Sequence, residues 1–448
     1  MKWSNRVFAN ILGIFLLIGF FSFQFGRSTL QPFVRETEIK SRNYAMDLIG
    51  SPTGGVYTGG ASFQRSNVLN WDSNGVLNWE KSIEIVPYWE GDSNSYSSKI
   101  RDMQIDAEGN LYTLTFISNP TVNNFDECYL IQKLDENCNE IWKTEIIGNF
   151  TDNFEPFILL DNEGNLYVTI NENRDGLNVM KLDSGGNILW KNYYGGNEIY
   201  TSHSSAAINE NNSLFIIGIN NEGFGIFIKM DSLGNLIFNT TFEEHRFKGI
   251  NIGENGSLYT IGNVNNDETD LSIEFIKWNS DGILLEEIYW NITSTDYNVY
   301  FSYLNDMHFF ENDKIYALVS IHYSSSSSND QSEQNFVEWD LQMQSIQNKS
   351  IVTVNESDEI WISSFLIDSD NNLYTAGITN QSVLLSKWDH SFNKIWDKTW
   401  RAESRIQLSY PFLENGGGFT FVILAGIIAF YFVSTNLILK ILSRSIKI

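Results

Sequence analysis

Short apolar runs separated by polar turn residues occupy most of this chain. One stretch shows the pattern clearly: runs of four to six mostly apolar residues, with Gly, Asn and Asp between them, occur at Ser205–Ile208, Ser213–Gly218, Gly225–Met230 and Leu236–Thr240. Apolar runs of this length predict β-strands that are buried on both faces. The pattern therefore predicts units of four short strands that pack face to face.

One phrase returns seven times and sets the length of the unit. Its clearest copy, Lys181 to Trp190, reads KLDSGGNILW. The Asp of this phrase recurs as Asp72, Asp135, Asp183, Asp231, Asn279, Asp340 and Asp389. Successive copies are 63, 48, 48, 48, 61 and 49 residues apart, so a unit of 48 residues has been lengthened twice. A period of about 40–50 residues built from strands is typical of β-propeller blades.

Large apolar residues hold fixed places around this Asp. The residue directly before it is Trp71, Leu134, Leu182, Met230, Trp278, Trp339 or Trp388. Seven residues after it stands Trp79, Trp142, Trp190, Phe238 or Trp396, and the pattern is broken by Glu286 and Gln347. We expect Trp142, Trp190 and Trp396 to be buried between neighbouring blades.

A second phrase precedes most of these positions and confirms the period. Its copies, Asp-x-x-Gly/Asn-Asn-Leu-Tyr, lie at Asp106–Tyr112, Asp161–Tyr167 and Asp368–Tyr374. Asp and Gly or Asn suit a tight hairpin turn, and Leu-Tyr resumes a strand. We therefore predict an all-β fold, a closed seven-bladed β-propeller of four-stranded antiparallel blades. Blade 6 is expected to be the weakest, because Gln347 replaces the Trp and Ser324–Ser328 interrupts its middle.

Both ends of the chain are predicted to enter a membrane. Residues 7–25 and 420–439 are long apolar runs, and about 20 apolar residues suffice to cross a bilayer as a helix. Basic residues outside both runs place both termini in the cytoplasm and the propeller outside the cell. For the N-terminal run, a cleaved signal peptide is the alternative to an uncleaved anchor.

These segments define the predicted organisation of the chain. It comprises a signal-anchor or transmembrane helix at 1–27, a stem at 28–42, the propeller at 43–402, a second stem at 403–418, a transmembrane helix at 419–440 and a basic cytoplasmic tail at 441–448.

The net charge of the chain limits the classes of partner that it is expected to bind. The formal net charge is −26, and without residues 1–27 and 419–448 the remainder holds 23 Lys and Arg against 55 Asp and Glu, a net charge of −32. Such a surface repels nucleic acid and anionic lipid headgroups. We therefore expect no nucleic-acid partner, and a protein or carbohydrate ligand at the cell surface instead.

Sequence motifs of catalysis are missing. The chain has no phosphate-binding Gly-x4-Gly-Lys-Ser/Thr, no Gly-x-Ser-x-Gly and no Cys-x-x-Cys, and its five histidines are scattered and interpreted as loop or surface residues. We predict no catalytic, cofactor-binding or metal-binding residue. Cys128 and Cys138 are predicted to be too far apart for a disulfide, since about seven extended residues separate them by some 20 Å.

Two features of the repeat allow a second interpretation. Asp161–Asn165 and Asp368–Asn372 have the oxygen density of a calcium loop, but they lack a downstream bidentate Glu and suit a hairpin turn. Turn chemistry is favoured, and calcium binding stays open. A lysine precedes several of the repeated Asp positions and is interpreted as a charge-paired strand-edge residue rather than part of a cationic ring: Lys133, Lys181, Lys229, Lys277 and Lys387.

The two phrases together resemble the β-propeller repeats of the SBBP type over roughly residues 43–401. This resemblance implies a propeller in a secreted or surface protein of bacteria or archaea, and the two-anchor layout is similar to archaeal surface proteins. The Asp-to-Trp half also resembles PQQ-type quinoprotein repeats. Those enzymes would be expected to have adjacent cysteines, which Cys128 and Cys138 are not, so no cofactor is predicted.

Two classes of function remain at this stage. The first is a membrane-anchored extracellular propeller that acts as a binding or scaffold module. The second is a surface enzyme, either a glycan-acting hydrolase or lyase or a quinoprotein. Because long loops usually carry recognition, we expect the binding face to be the one that holds the long loops and both chain ends near Tyr44 and Trp400. This face is expected to turn toward the membrane or toward a partner beside it.

Overall fold

The computed structural model describes the propeller region and two short flanking segments. The described residues are 35–39, 405–409 and 43–402, the last with gaps at 53, 63–64, 84–96, 119–126, 149, 151–155, 173–175, 196–201, 221, 254–255, 265–269, 294–297, 311–313, 325–330, 343, 356–359 and 369. The two predicted membrane spans lie outside these residues.

Seven four-stranded antiparallel sheets follow one another along the chain, each with its strands in sequence order. Blade 1 consists of β2 (Asn43–Gly50), β3 (Val56–Ser62), β4 (Arg65–Trp71) and β5 (Leu77–Ser82). Blade 2 consists of β6 (Ser97–Ile105), β7 (Leu111–Ser118), β8 (Glu127–Leu134) and β9 (Glu140–Gly148). Blade 3 consists of β10 (Phe157–Leu160), β11 (Leu166–Glu172), β12 (Gly176–Leu182) and β13 (Ile188–Gly195). Blades 4 and 5 consist of β14 (Ser202–Ile208), β15 (Leu214–Ile219), β16 (Gly225–Met230) and β17 (Leu236–Phe242); and β18 (His245–Ile252), β19 (Leu258–Val264), β20 (Asp270–Trp278) and β21 (Leu284–Thr293). Blades 6 and 7 consist of β22 (Asn298–Phe310), β23 (Lys314–Ser324), β24 (Gln331–Asp340) and β25 (Ser345–Asn355); and β26 (Ile360–Ile367), β27 (Leu373–Thr379), β28 (Ser382–Trp388) and β29 (Lys394–Trp400).

The seven-bladed propeller is therefore confirmed, and the blades lie in one compact unit, Ser41–Glu403. Blade 7 meets blade 1: the Asn43 amide donates to the Gln381 carbonyl at 3.0 Å, and the Tyr374 hydroxyl donates to the Ser73 carbonyl at 3.3 Å. Blade 6 has a complete four-stranded sheet despite its degraded repeat.

A separate pair of strands joins the two flanking segments. The strand β1 (Arg35–Ile39) pairs antiparallel with β30 (Arg405–Ser409), with Arg35 opposite Ser409 and Ile39 opposite Arg405. The two predicted stems are thus partly a two-stranded ribbon.

Both repeated phrases fold into the same hairpin turn. In the phrase at Asp183, its carboxylate accepts hydrogen bonds from the amides of Gly185 and Asn187 at 2.9 and 2.8 Å, and Gly186 has φ +84°. The turn at Asp161 repeats this arrangement with Glu163 and Asn165, at 3.0 and 2.8 Å. An Asp side chain that caps the backbone, followed by a left-handed residue, explains why the phrases require Asp and Gly at these places.

The aromatic residues seven positions after the Asp bridge consecutive blades. The Trp190 ring packs on Gly234 of blade 4, where an added Cβ would lie 2.9 Å from the ring, and its Nε1 donates to the Ser232 carbonyl at 3.2 Å. Trp142 contacts Gly186 and donates to the Ser184 carbonyl in the same way. These tryptophans lie between blades as predicted, but they are only half-buried, because the outermost strand lies at the rim of the ring.

The fully buried tryptophans are instead those directly before the Asp. Trp278 and Trp339 are 0% and 1% exposed, and each lies in the contact between two blades. The sequence pattern marked both positions as large and apolar, but it did not separate the interior position from the rim position.

Phe392 compensates for the tryptophan that blade 6 has lost at Gln347. In blade 3, Trp190 contacts the Tyr167 ring of its own blade at 5.9 Å. In blade 6, the equivalent Tyr316 is contacted at 6.1 Å by Phe392, which comes from the turn of blade 7 and stacks on Phe336 at 5.3 Å. An aromatic ring from the neighbouring blade therefore fills the space, and Phe392 adopts φ +57° at the position that holds Gly186 in blade 3.

Replacing Trp190 with Ala tests the bridge between blades. The change removes the ring from Gly234 and Tyr167 and deletes the hydrogen bond to Ser232, so we expect a loss of about 2–3 kcal/mol in unfolding free energy. Chemical denaturation of the detergent-solubilised full-length protein measures it. The neighbouring Leu189→Ala, at a side chain that is 55% exposed, should change stability by less than about 0.5 kcal/mol. Equal effects of the two substitutions would contradict the bridging role.

Blade 6 also carries a buried donor that a single substitution should satisfy. The Nε1 groups of three buried tryptophans donate to threonine hydroxyls: Trp71 to Thr58, Trp278 to Thr260 and Trp388 to Thr375. Trp339 Nε1 has no partner among the described residues, and the residue at the threonine position is Ala317. We expect Ala317→Thr to raise the unfolding free energy by about 1 kcal/mol, measured by thermal denaturation. Thr260→Val should lower it, and a destabilising Ala317→Thr would show that the site has no room for the hydroxyl.

Candidate functional site

The lysine two residues before the repeated Asp lies in a cluster of polar side chains that is buried in blade 3 and partly buried in blades 2 and 7. Lys181 Nζ lies 2.9 Å from the Asp161 carboxylate and 3.0 Å from the Tyr167 hydroxyl, and 4.7 Å from the centre of the Tyr167 ring. Lys133 pairs with Asp106 at 2.9 Å, and Lys387 pairs with Asp368 at 3.7 Å. The predicted charge pairing is confirmed for these three lysines. Each lies next to the end of the third of four strands, and its partner comes from the other repeated turn.

The electrostatics of this cluster follow from its burial. Burial disfavours the charged form of Asp161, but hydrogen bonds from Asn165 and Lys181 outweigh burial and lower the pKa of Asp161. Burial also opposes the charge of Lys181, yet Tyr167 and Asp161 hold its pKa above the ordinary value. The cluster is thus a structural ion pair that links the two phrases of one blade.

The same geometry accounts for the oxygen-rich turns. Both carboxylate oxygens of Asp161 accept hydrogen bonds from the Asn165 side chain, and one of them also lies against Lys181. The lysine ammonium occupies the side of the carboxylate that a cation would need. The turn at Asp161 therefore acts as a structural turn, which favours the interpretation preferred from the sequence.

Two carboxylates meet on the innermost strands, next to the axis of the ring. Asp47 on β2 and Asp102 on β6 share the Met103 amide, at 2.7 and 2.8 Å, and Asp102 also accepts from the Ile158 amide of blade 3 at 2.7 Å. The Ser364 hydroxyl of blade 7 donates to Asp47 at 3.3 Å. Burial and the nearby charge of Asp47 raise the pKa of Asp102. These side chains connect the inner strands of four consecutive blades.

A buried acid on blade 5 was missed by the sequence analysis. Glu274 is fully buried and its Oε2 lies 2.6 Å from His245 Nδ1, while its Oε1 has no partner among the described residues. The hydrogen bond to Glu274 raises the pKa of His245 despite partial burial. His245 is therefore a paired, half-buried residue rather than a loop residue, and the available signal was the acid inside the apolar run Leu271–Ile276.

The repeat is most irregular between blades 6 and 7, and a cleft lies there. In the other six blades the register shift between the third and fourth strands lies beside the turn, as at Lys181 and Leu182. In blade 6 the shift lies in mid-strand, at Gln334 and Asn335. The cleft has a volume of about 500 Å³. It is lined by Ile351, Ile360, Ile362, Thr379, Asn380, Leu384, Ser386, Trp388, Lys394, Asp397 and Thr399.

This cleft combines an apolar wall with a charged rim. Lys394 Nζ lies 3.0 Å from Asp397 and 4.8 Å from the centre of the Trp388 ring. At its inner side, the Gln334 amide bonds both backbone groups of Ile362, at 2.8 and 2.9 Å, which fixes blade 6 against blade 7. Such a lining suits an amphipathic ligand with polar substituents and one apolar face.

The longer connections and one side of the cleft share one end of the sheets. Antiparallel pairing in strand order puts Asn43, Trp400, every second-to-third strand connection and every blade-to-blade connection at the same end. The opposite end holds the tight turns, such as those at Asp161 and Asp183. The predicted placement of both chain ends on the face with the long connections is confirmed, and Thr379 and Asn380 bring the cleft to that face.

Other candidate residues do not gather into a site. Cys128 and Cys138 are free and buried, and burial raises the pKa of each thiol to about 12. Within the described ranges, no three His, Cys, Asp or Glu side chains are arranged to hold a metal ion, and no helix is long and apolar enough to span a bilayer.

Comparisons with known proteins show similarity of structure alone. No protein-family model matches the sequence, and a comparison with curated proteins finds no match. A protein from Lactobacillus plantarum is similar at 10% identity, covering 83% of this chain and 100% of its own, with a TM-score of 0.47. The Dos1 propeller is 12% identical, with 76% and 78% of the two chains covered and a TM-score of 0.45.

A polysaccharide lyase, the PL25 ulvan lyase, is 11% identical over 85% of this chain and 99% of its own, with a TM-score of 0.44. At these identities and TM-scores the similarities carry no argument about the architecture or the activity of this chain. The blade count stands on the strand order and pairing of this chain.

Because Lys181 is paired with a buried carboxylate, we expect the stability loss of a Lys181 variant to depend on pH. Lys181→Met leaves the buried Asp161 carboxylate without its partner, so stability should fall by about 3 kcal/mol at neutral pH. Because the folded pKa of Asp161 is lowered, its contribution exists above the unfolded value of about 3.9 and is lost as pH falls through the folded pKa. The deficit of the variant should therefore shrink as the pH falls below about 4.

Denaturation of both proteins across this pH range measures the change. Lys349→Met provides the control, because Lys349 donates mainly to the carbonyls of Ser391 and Phe392, which do not titrate. Its deficit should stay constant with pH. A deficit of Lys181→Met that does not change with pH would show that the charge of Asp161 is not what Lys181 stabilises.

Proposed function

We propose that this protein is a membrane-anchored binding module whose propeller lies outside the cell and recognises a surface polymer or protein. One observation carries the proposal: the cleft lies where the repeat is irregular, between blades 6 and 7, and Thr379 and Asn380 of its lining lie at the end of the sheets that holds the long connections, whereas the other end consists of similar tight turns. Faces built from variable connections on a rigid scaffold are where binding usually occurs. The repeated residues meanwhile have structural roles in the blades.

Features of the sequence support the proposed location of the propeller outside the cell. Apolar runs at 7–25 and 420–439 with basic residues on their outer sides favour two spans and cytoplasmic termini. The net charge of −32 for the region between them favours a ligand that is neutral or cationic. The resemblance to SBBP-type repeats agrees with a surface location.

An amphipathic carbohydrate or peptide segment fits the cleft best. Leu384, Trp388 and Ile351 offer an apolar wall, and the Lys394–Asp397 pair offers a donor and an acceptor at the rim. Thr379, Thr399 and Ser386 add hydroxyl groups to this lining. A ligand of this class would use the apolar wall for affinity and the rim for orientation.

An enzymatic alternative has one observation in its favour. Asp47 and Asp102 are adjacent carboxyls at the inner ring, and the pKa of Asp102 is raised by burial and by the charge of Asp47. A pair of carboxyls, one of them with a raised pKa, is the acid–base arrangement of many glycan-cleaving enzymes. Release of reducing or unsaturated ends from surface polysaccharide by the wild type, abolished in Asp102→Asn, would favour this alternative over binding alone.

Filling the cleft tests the binding proposal. Leu384→Trp should occupy the cleft and lower the retention of surface ligand on immobilised, detergent-solubilised full-length protein at least tenfold. The probes are the polysaccharide and protein fractions of a cell-surface extract. Leu233→Trp is the matched control, because Leu233 is 72% exposed in a tight turn on the opposite face. Thermal denaturation confirms that both variants remain folded.

The possible outcomes distinguish a wrong binding site from a wrong binding function. Equal retention by wild type, Leu384→Trp and Leu233→Trp would exclude the cleft as the binding site. Retention no greater than that of an unrelated membrane protein would contradict the binding function itself.

A further inference from the structure

A buried acid and a histidine meet across the middle of blade 5. Glu274 lies on the third strand of this blade, β20, and is 0% exposed. His245 begins the first strand, β18, and its Nδ1 lies 2.6 Å from Glu274 Oε2. The residue of β19 opposite Glu274 is Gly262, where an added Cβ would lie 3.0 Å from Glu274 Oε1. The absence of a side chain at Gly262 leaves the space in which His245 and Glu274 meet.

The charge of Glu274 has a single counter-charge within the described residues. Its ion pair there is the one with His245, and its second oxygen, Oε1, has no hydrogen-bond partner among them. The guanidinium of the neighbouring Arg246 lies against Gly223 of blade 4. A carboxylate that is removed from water without a partner is strongly destabilised. Glu274 therefore depends on the imidazolium form of His245.

Two exposed acids and a tyrosine surround His245 on neighbouring elements. Glu244 lies in the connection before β18, and Glu287 and Tyr289 lie on β21. The hydrogen bond to Glu274 raises the pKa of His245, burial opposes this increase, and the charges of Glu287 and Glu244 add to it. Burial and the charge of Glu287 raise the pKa of Tyr289 to about 12, so its hydroxyl does not titrate near neutrality. Because an unperturbed histidine has a pKa of about 6.5, His245 is the group in this cluster that titrates near neutral pH.

His245 lies where the chain passes from blade 4 to blade 5. Residues 243–244 connect β17 to β18 at the end of the sheets that holds the long connections. The His245 ring stacks on Phe247 at 5.9 Å and contacts Phe242, the last residue of β17, also at 5.9 Å. The pair with Glu274 therefore fixes this connection against the body of blade 5.

We propose that the His245–Glu274 pair is a pH-sensitive switch that fixes the connection between blades 4 and 5 when it holds a proton and loosens it when the proton is lost. With the proton bound, imidazolium and carboxylate neutralise each other. Without it, a carboxylate stays buried beside a neutral imidazole, and opening the start of β18 to water relieves that cost. Because the folded pKa of His245 is raised, the stabilisation is fully present below the unfolded value of about 6.5 and is lost as the pH rises through the folded pKa. This switch goes beyond the binding function proposed above and does not depend on it.

Hydrogen exchange of the detergent-solubilised full-length protein, followed by mass spectrometry at pH 6 and pH 9, tests the switch. After correction for the intrinsic effect of pH on exchange, the protection of residues 243–248 should be at least about fivefold lower at pH 9, because local opening exposes these amides. Residues 128–134, on the third strand of blade 2, should change less than about twofold. A wild-type protection of residues 243–248 that is the same at both pH values would overturn the proposal.

Two variants and a control assign the effect to this pair. Glu274→Gln removes the buried charge but keeps the shape of the side chain, so the protection of residues 243–248 should be equal at both pH values. His245→Gln is neutral at every pH and leaves the carboxylate without its counter-charge, so protection at pH 6 should be as low as that of the wild type at pH 9. His390→Gln, in an exposed turn of blade 7, should behave like the wild type. A pH-dependent fall in His245→Gln equal to that of the wild type would refute the switch, and this variant decides the question alone if Glu274→Gln does not fold.

Discussion

The contact between an outer-strand aromatic ring and the turn of the next blade is the interaction on which the ring depends. Trp142, Trp190 and Trp396 each lie against a glycine whose missing Cβ makes room for the ring. Because Trp396 of blade 7 packs on Gly75 of blade 1, the same contact closes the ring. A propeller has no single core, so its stability is the sum of such interfaces.

Within a blade, the corresponding role belongs to the row formed by Asp161, Lys181 and Tyr167. The row connects a turn to the two middle strands, and its charges are satisfied inside the blade. Asp161 and Lys181, which a motif search would assign to a cation site or a cationic ring, therefore have a structural role. The departures from the repeat are the informative places for function, since the register of blade 6 shifts at Gln334, whose amide binds the backbone of Ile362 in the lining of the cleft.

The departures also show how a repeat tolerates loss. Phe392 supplies from blade 7 the ring that blade 6 lacks, although a phenylalanine at positive φ carries backbone strain. Packing against Phe336 and Tyr316 offsets that strain. In a position-by-position sequence comparison, Gln347 and Phe392 look like two unrelated departures from the repeat. In the structure they are linked, because the Phe392 ring takes the place of the tryptophan ring that Gln347 lacks.

The sequence by itself determined the number of blades, their strands and their turns, because these depend on local chemistry: an Asp that caps the backbone, a Gly or Asn at positive φ and apolar runs of strand length. Only the tertiary structure decided which tryptophans are interior, that Lys181 pairs with Asp161 and that Glu274 is buried against His245. It also decided that the cleft lies between blades 6 and 7. These features arise from contacts between residues far apart in the chain, and the spacing along the sequence does not contain the geometry of those contacts.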